Sequence, residues 1–386
     1  MNPWPHHAED EIAAAEAVLR SGRVNYWTGE EGRRFEEEFA AYHDVPHAVA
    51  LANGTLALEA ALLALEVPPE ADVIVPPRTF IATAGAVVVR GARPVFADVD
   101  RESGNVTAGT ITAALTPQTR AIIVVHMAGR PCDMDPILDL CRERDLLLIE
   151  DCAQAHGARY KGRPVGSFGD AAAFSFCQDK IMTTGGEGGM LLTSSRAVWQ
   201  RAWEYKDHGK SWEAVHEREH PPGFRWLHES FGSNWRMTEM QAAIARVQLR
   251  KLDQWVESRG RNAEILNQHL AALDVIRVPR PPAANRHAYY KHYVHVEPEA
   301  LAPGWDRDRI MAEFQAAGIP GLSGTCSEIF LEKAFADAGL GPTERLPVAW
   351  ELGETSLMFP VHPTLTEEQV HHMGRTAREI LERASA

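Results

Sequence analysis

The chain has 386 residues, of which 45% are hydrophobic and 24% charged, enough for one large core and a smaller second unit at the usual ~100–200 residues per domain. A formal net charge of -14 supplies no phosphate-neutralising basic face and argues against a nucleic-acid partner. No apolar run approaches the ~18–20 residues of a membrane span, and the N-terminus lacks the basic-then-apolar order of a signal peptide. With five cysteines (Cys132, Cys141, Cys152, Cys177, Cys326) in no paired spacing, the expectation is a cytoplasmic enzyme with reduced thiols.

From about residue 47 to 195, short apolar runs alternate with amphipathic stretches. Strands are predicted over Ala48–Ala52, Asp72–Val75, Pro94–Asp98, Ala121–His126, Leu146–Glu150, Ala171–Ser175 and Gly189–Thr193. Several lack period-two alternation, as strands buried on both faces of a parallel sheet do. Helical patterns lie between them at Thr55–Leu65, Phe80–Arg90 and Met134–Arg144. This alternation predicts an α/β fold, a mostly parallel seven-stranded sheet flanked by helices. A long helical pattern from Glu239 to about Leu273 leads to a smaller C-terminal α/β domain, with a strand at Tyr289–Val296, a helix at Arg307–Ala317, a loop, and a final helix at Thr366–Arg383. The division expected is a large domain over residues 1–255 and a small one over 256–386.

Three segments carry chemistry. In Leu146–Gln154 a buried strand ends in Asp151, placing a carboxylate at the carboxyl end of the sheet, where ligand crevices of α/β folds form; a capping or loop carboxylate would look the same. In Ala171–Gly189 a strand delivers Ser175, a loop delivers Lys180, and a glycine-rich turn follows, which suits close approach of the backbone to a bound group. A lysine held near a desolvated site can form a Schiff base, although a loop lysine by itself faces solvent. Asn53-Gly54-Thr55 opens a helix after a strand, so free N–H groups and the helix dipole offer an anion site, or simply an N-cap. An anion cradle, a strand-end carboxylate and a nucleophilic lysine together match the needs of pyridoxal 5'-phosphate.

Two competing signals are weaker. His216-Glu217-Arg218-Glu219-His220 fits His-Glu-x-x-His, but that chemistry needs a continuing helix, and Pro221-Pro222 bias His220 away from one; no metal is expected. Cys177, three residues from Lys180, would react only with a lowered pKa.

At these residues the sequence resembles the DegT-type nucleotide-sugar aminotransferases, a branch of the fold-type-I pyridoxal-phosphate enzymes. The resemblance runs from Thr28-Gly29 to about Ala243, and more loosely to the C-terminus. It rests on Asn53-Gly54-Thr55, on Glu150-Asp151-Cys152-Ala153-Gln154-Ala155-His156-Gly157, on Gly166-Ser167-Phe168-Gly169-Asp170, and on Asn234-Trp235-Arg236-Met237-Thr238-Glu239. It implies that Lys180 is catalytic and holds the cofactor, that Asp151 pairs with the pyridine nitrogen, and that Gln154 approaches the phenolic oxygen. Phe80 would stack on the ring, and Gly54, Thr55 and Ser175 would bind the phosphate. Asn234 would reach the phosphate of a neighbouring subunit, implying a homodimer with shared active sites.

The sequence departs from the commoner pattern at Ala128, where many members carry an aromatic residue, which predicts a different pocket there. The long Lys206–Glu229 region is expected to shape substrate choice. The function implied is transfer of an amino group from an amino-acid donor, L-glutamate, to a keto sugar carried on a nucleotide, at C4, for amino-sugar biosynthesis. A dehydratase or other carbanion enzyme is the alternative, weakened by the retained lysine; a non-catalytic sensing protein on the same fold is the other.

Overall fold

The computed structural model describes residues 2–219 and 225–386. Its central sheet has seven strands: β1 (His47–Leu51), β2 (Asp72–Val75), β3 (Arg93–Phe96), β4 (Thr119–Val125), β5 (Leu147–Asp151), β6 (Ala171–Ser175) and β7 (Gly189–Thr193). Their order is β1-β7-β6-β5-β4-β2-β3. β7 runs antiparallel to both neighbours, and the pairings from β6 across to β3 are parallel. Successive side chains of a strand point to opposite faces. Ala171 and Ala173 accordingly join the core with the helices Gly54–Ala64 and Ala82–Val89, whereas Ala172 and Phe174 join the core with Phe35, Phe39 and Ala242. Burial on both faces is why the strands read as unbroken apolar runs.

The Glu239–Leu273 pattern is two helices, Glu239–Leu249 and Leu252–Leu270. At the break Lys251 Nζ donates to Asp10 (2.6 Å) and Glu11 (2.8 Å) of the first helix, Glu9–Ser21. Beyond it, Leu252 and Val256 pack into the large core, and Ala263, Leu266 and Leu270 into a separate one. That second core lies against an antiparallel three-stranded sheet of β8 (Ile276–Arg277), β9 (His292–Val296) and β10 (Ser356–Phe359). The strand expected from Tyr289 therefore begins three residues later, because Tyr289 sits at φ 47, outside the extended region. The segment expected to be a loop before Thr366 holds the helices Lys333–Ala338 and Pro347–Thr355 as well as β10. The N-terminal segment crosses to the small sheet's side: Trp4 packs edge-on against Trp255 and stacks on His362.

One buried carboxylate ties the site-bearing strands to the following loop. Glu150 is fully buried on β5. It accepts hydrogen bonds from His126 Nε2 (3.0 Å) and from the backbone N–H groups of Gly166 (2.8 Å), Phe168 (2.7 Å) and Gly169 (2.8 Å). The Cys132 N–H points at His126 Nδ1 (3.0 Å), so Nδ1 accepts and Nε2 carries the proton given to Glu150. Burial pushes the Glu150 carboxyl up, but the His126 bond and the loop N–H groups outweigh it and hold it below its ordinary value. Its contribution to stability is thus present above the ordinary carboxylate pKa of about 4.3 and is lost as pH falls through the lower folded value. Glu150→Gln should reduce the unfolding free energy at pH 7 by about 1.5–3 kcal/mol, the cost of losing hydrogen bonds to a charged acceptor, measured by urea denaturation, and the gap should close at acid pH; a variant matching wild type at pH 7 would contradict this reading.

Candidate active site

Parallel register brings the chemistry together. Val125 pairs with Asp151 and Asp151 with Ala173, so β4, β5 and β6 end at one edge of the sheet, with Ser175 two residues further along. Asp151 is buried there. Its Oδ2 accepts from Thr83 Oγ1 (2.8 Å) and its Oδ1 from the Ala153 N–H (3.1 Å); Thr79 Oγ1 bonds Thr83 Oγ1 at 2.8 Å. Burial raises the Asp151 carboxyl, against the opposing pull of these hydrogen bonds and of Lys180.

The helix Gly54–Ala64 starts over this edge. Asn53 caps it, its side chain accepting from the Leu56 N–H at 2.9 Å, while its carbonyl accepts from Ala57 N at 3.2 Å. The amides of Gly54 and Thr55 precede these and carry no partner among the described residues. A Cβ at position 54 would lie 2.5 Å from Ser175 Cβ, so only glycine lets the helix start rest on the end of β6. The glycine-rich turn has a similar structural cause: a Cβ at Gly189 would meet the Asn53 carbonyl at 2.1 Å. Of residues 185–189 only Glu187 reaches the cavity wall; Gly185 (φ 83) and Gly186 (φ 133) take the left-handed backbone that glycine permits, and Gly189 permits the close pass to Asn53.

Gly54, Thr55, Phe80, Asp151, Gln154, Ser175 and Lys180 all line one cavity of about 820 Å³. Lys180 Nζ stands 4.9 Å from the centre of the Tyr290 ring and has no hydrogen-bond or ion-pair partner among the described residues. Its carbonyl accepts from Trp4 Nε1 at 2.9 Å. Gln154 is buried, its Oε1 fixed by the Ala128 N–H at 2.8 Å, which leaves its amide N–H₂ to serve as a donor. Phe80 is 66% exposed on the cavity wall, unlike a core phenylalanine. Asn234 does not enter this cavity: it is exposed, beside the buried Asp207, with which it forms a backbone bridge. The segment is stitched down by Trp235 N to Lys206 O (3.0 Å) and Ala52 N to Trp235 O (2.9 Å).

The remaining sequence signals resolve structurally. Ala128 forms no part of the main cavity and lines a smaller one beside it. Burial and the neighbouring Glu187 raise the Cys177 thiol, the reverse of an activated cysteine. The helix Trp212–His216 ends at the first histidine of His-Glu-x-x-His, and His220 lies outside the described residues. Lys206, at the start of the expected specificity region, is fully buried and bonded to Glu36 at 2.7 Å, so that end is structural. Tyr290, Lys291, Asp179 and Thr79 also line the cavity, though none was singled out from the sequence. Tyr290 and Lys291 arrive from over a hundred residues away, where no local pattern marks them.

A sequence profile of the DegT/DnrJ/EryC1/StrS aminotransferase family matches residues 5–377. The chain is 38% identical over 358 residues to a UDP-N-acetyl-3-dehydro-alpha-D-glucosamine 3-aminotransferase of Acidithiobacillus ferrooxidans, covering 93% of this chain and 90% of that one. It is 36% identical to the GDP-perosamine synthase of Caulobacter vibrioides, covering 92% of each. Among solved structures, the aminotransferase from Psychrobacter cryohalolentis superposes with a TM-score of 0.98 at 52% identity, covering 99% of both chains. The chain belongs to the DegT/DnrJ/EryC1/StrS aminotransferase family and is a pyridoxal-phosphate-dependent sugar aminotransferase.

Proposed function

We propose that the chain moves an amino group from L-glutamate to the C4 keto group of a nucleotide-linked sugar for amino-sugar biosynthesis, as a cytoplasmic homodimer with shared active sites. The observation that carries this reading is the convergence of Lys180, Asp151, Gln154, Ser175 and the Gly54–Thr55 helix start on one cavity. Its volume of about 820 Å³ is in the usual range for small-molecule sites. The thiols of all five cysteines are unpaired, which suits a reducing compartment. We also propose the division into residues 1–255 and 256–386, which the split of the helix Leu252–Leu270 between two cores supports.

The residues present fit pyridoxal phosphate. The partnerless amides of Gly54 and Thr55, at a helix start that closes on Ser175, would take its phosphate. Asp151 would take the pyridine nitrogen, Gln154 N–H₂ the phenolic oxygen, and Phe80 the ring face. Asn234, exposed and outside its own cavity, would complete the phosphate site of a partner subunit. When bound, the group supplies an electron sink for the pair left behind as a proton departs from carbon.

The chain's own part is proton movement and positioning. Lys180 accepts the α-proton of the amino donor at Nζ, a task that needs a neutral amine. No carboxylate among the described residues holds that amine. The donor leaves as its keto acid, and the same nitrogen handles the proton at the sugar carbon in the reverse sense. Asp151, with both oxygens fixed by Thr83 and Ala153, holds its anion in place without moving. A second reading, amination at C3, is favoured by the name of the Acidithiobacillus relative.

¹⁵N-labelled L-glutamate offered with UDP-, GDP- and dTDP-linked 3-keto and 4-keto sugars separates the readings by product mass. Label at C4 is expected; label at C3 selects the second reading, and no transfer to any keto sugar sinks both. Lys180→Ala should lower the turnover rate by about 10²–10⁴-fold, and an unchanged rate would refute the assignment. Co-expressed Lys180→Ala and Asn234→Ala chains should form heterodimers with one intact site and regain activity that neither variant has alone. Without that recovery, Asn234 does not act across subunits.

A further inference from the structure

The residues that fit the cofactor make up only part of the cavity wall. Another part comes from the small sheet: Tyr290 and Lys291 directly precede β9, Tyr293 lies on it, and Met358 on β10. The charged side chains of the whole wall are Asp151, Asp179, Lys180, Glu187 and Lys291. Asp151 and Lys180 belong to the cofactor. Asp179 accepts from the Tyr290 hydroxyl, and Glu187 lies 3.9 Å from the Cys177 thiol.

Lys291 is the charge left over. It is half-buried, and its Nζ has no hydrogen-bond or ion-pair partner among the described residues. The amine is not sealed in, in contrast to the unpartnered Nε and Nη2 of Arg259; it opens on the cavity that Lys291 lines. Burial lowers its pKa against the pull of Asp179, and charges taken this far from water are ordinarily paired. A second cation stands behind it. Arg259 is 1% exposed and donates to the carbonyls of Tyr290 (3.1 Å) and Tyr289 (3.4 Å). No carboxylate among the described residues bonds it, and its guanidinium faces the Trp4 ring at 5.0 Å. Two positive charges without a bonded carboxylate therefore favour an anion on this side of the cavity.

We propose that Lys291 is the substrate-anion site of the cavity and takes an oxyanion, a carboxylate of the amino donor or the diphosphate of a nucleotide sugar. The amines of Lys291 and Lys180 lie 5.1 and 4.9 Å from the centre of the same Tyr290 ring. A molecule held by its anion at Lys291 thus presents its other end to the amine that moves the proton. An ammonium with three rotatable donors suits either oxyanion, and the two substrates would use it in turn. The inference rests on the proposed reaction, in which both substrates are anions.

Calorimetric titration of the cofactor-loaded protein tests it. The probes are glutarate, which has two carboxylates and no amino group to react, and UDP, GDP and dTDP. Lys291→Met should weaken glutarate, a nucleoside diphosphate or both about 10–100-fold, and Lys291→Arg should recover most of the loss. Weakening confined to glutarate assigns the carboxylate, and weakening confined to the nucleotides assigns the diphosphate. Wild-type crystals soaked in these ligands should place an oxyanion oxygen within ~3 Å of Lys291 Nζ, a readout that needs no variant. Equal affinities in wild type and Lys291→Met, no binding of any probe, or an oxyanion bound away from Lys291 would overturn the proposal. None of these readouts requires turnover, so they fail separately from the ¹⁵N transfer that tests the reaction.

Discussion

The helix Gly54–Ala64 rests on the end of β6 so closely that no side chain fits at position 54, and the geometry of the site follows from that contact. It carries the amide-rich helix start to the sheet edge where Asp151 and Ser175 emerge from neighbouring strands. The same closeness recurs at Gly189, whose missing side chain lets β7 pass the Asn53 carbonyl. An amide-rich helix start, a carboxylate and a lysine loop are thereby brought together by backbone packing. Such preorganisation on rigid elements keeps a site from being remade at each turnover.

A second level of support lies in buried polar groups that never touch the cavity. Glu150 gathers four donors and pins the 166–169 loop to the strand that ends in Asp151. Lys206, Glu36 and Tyr26 form a comparable buried cluster, in which Glu36 also accepts from the β1 backbone at Ala50. Asp207 accepts from Trp27 Nε1 and from Arg236, anchoring the strip that presents Asn234 at the surface. Satisfied networks of this kind specify one arrangement of the backbone and are correspondingly sensitive to loss of a member.

Much of this was legible in the sequence, and the reasons are local. Strands buried on both faces announce themselves as apolar runs, so Asp72–Val75, Ala171–Ser175 and Gly189–Thr193 are found as predicted. Asp151 could be placed because it ends such a run, and Asn53 because a cap precedes a helical pattern. What stayed hidden depends on distant chain. At the break between the two helices Lys251 pairs with Asp10 and Glu11, distant contacts that leave no mark on helical periodicity. Tyr290 and Lys291 reach the cavity only because a second sheet packs beside the first. In the glycine run, glycine's permissiveness looks alike in sequence whether a ligand, a positive-φ turn or a neighbouring strand requires it.

The central claim is that Lys180, and no other lysine, carries the cofactor. The contrast is a sharp one, because Lys291 lines the same cavity, its Nζ 5.1 Å from the centre of the Tyr290 ring. Borohydride reduction of the cofactor-loaded protein, followed by proteolysis and mass spectrometry, identifies the lysine that becomes permanently labelled. The account predicts the pyridoxyl mass on the peptide containing Lys180 alone. Label on Lys291, or none on Lys180, would contradict it.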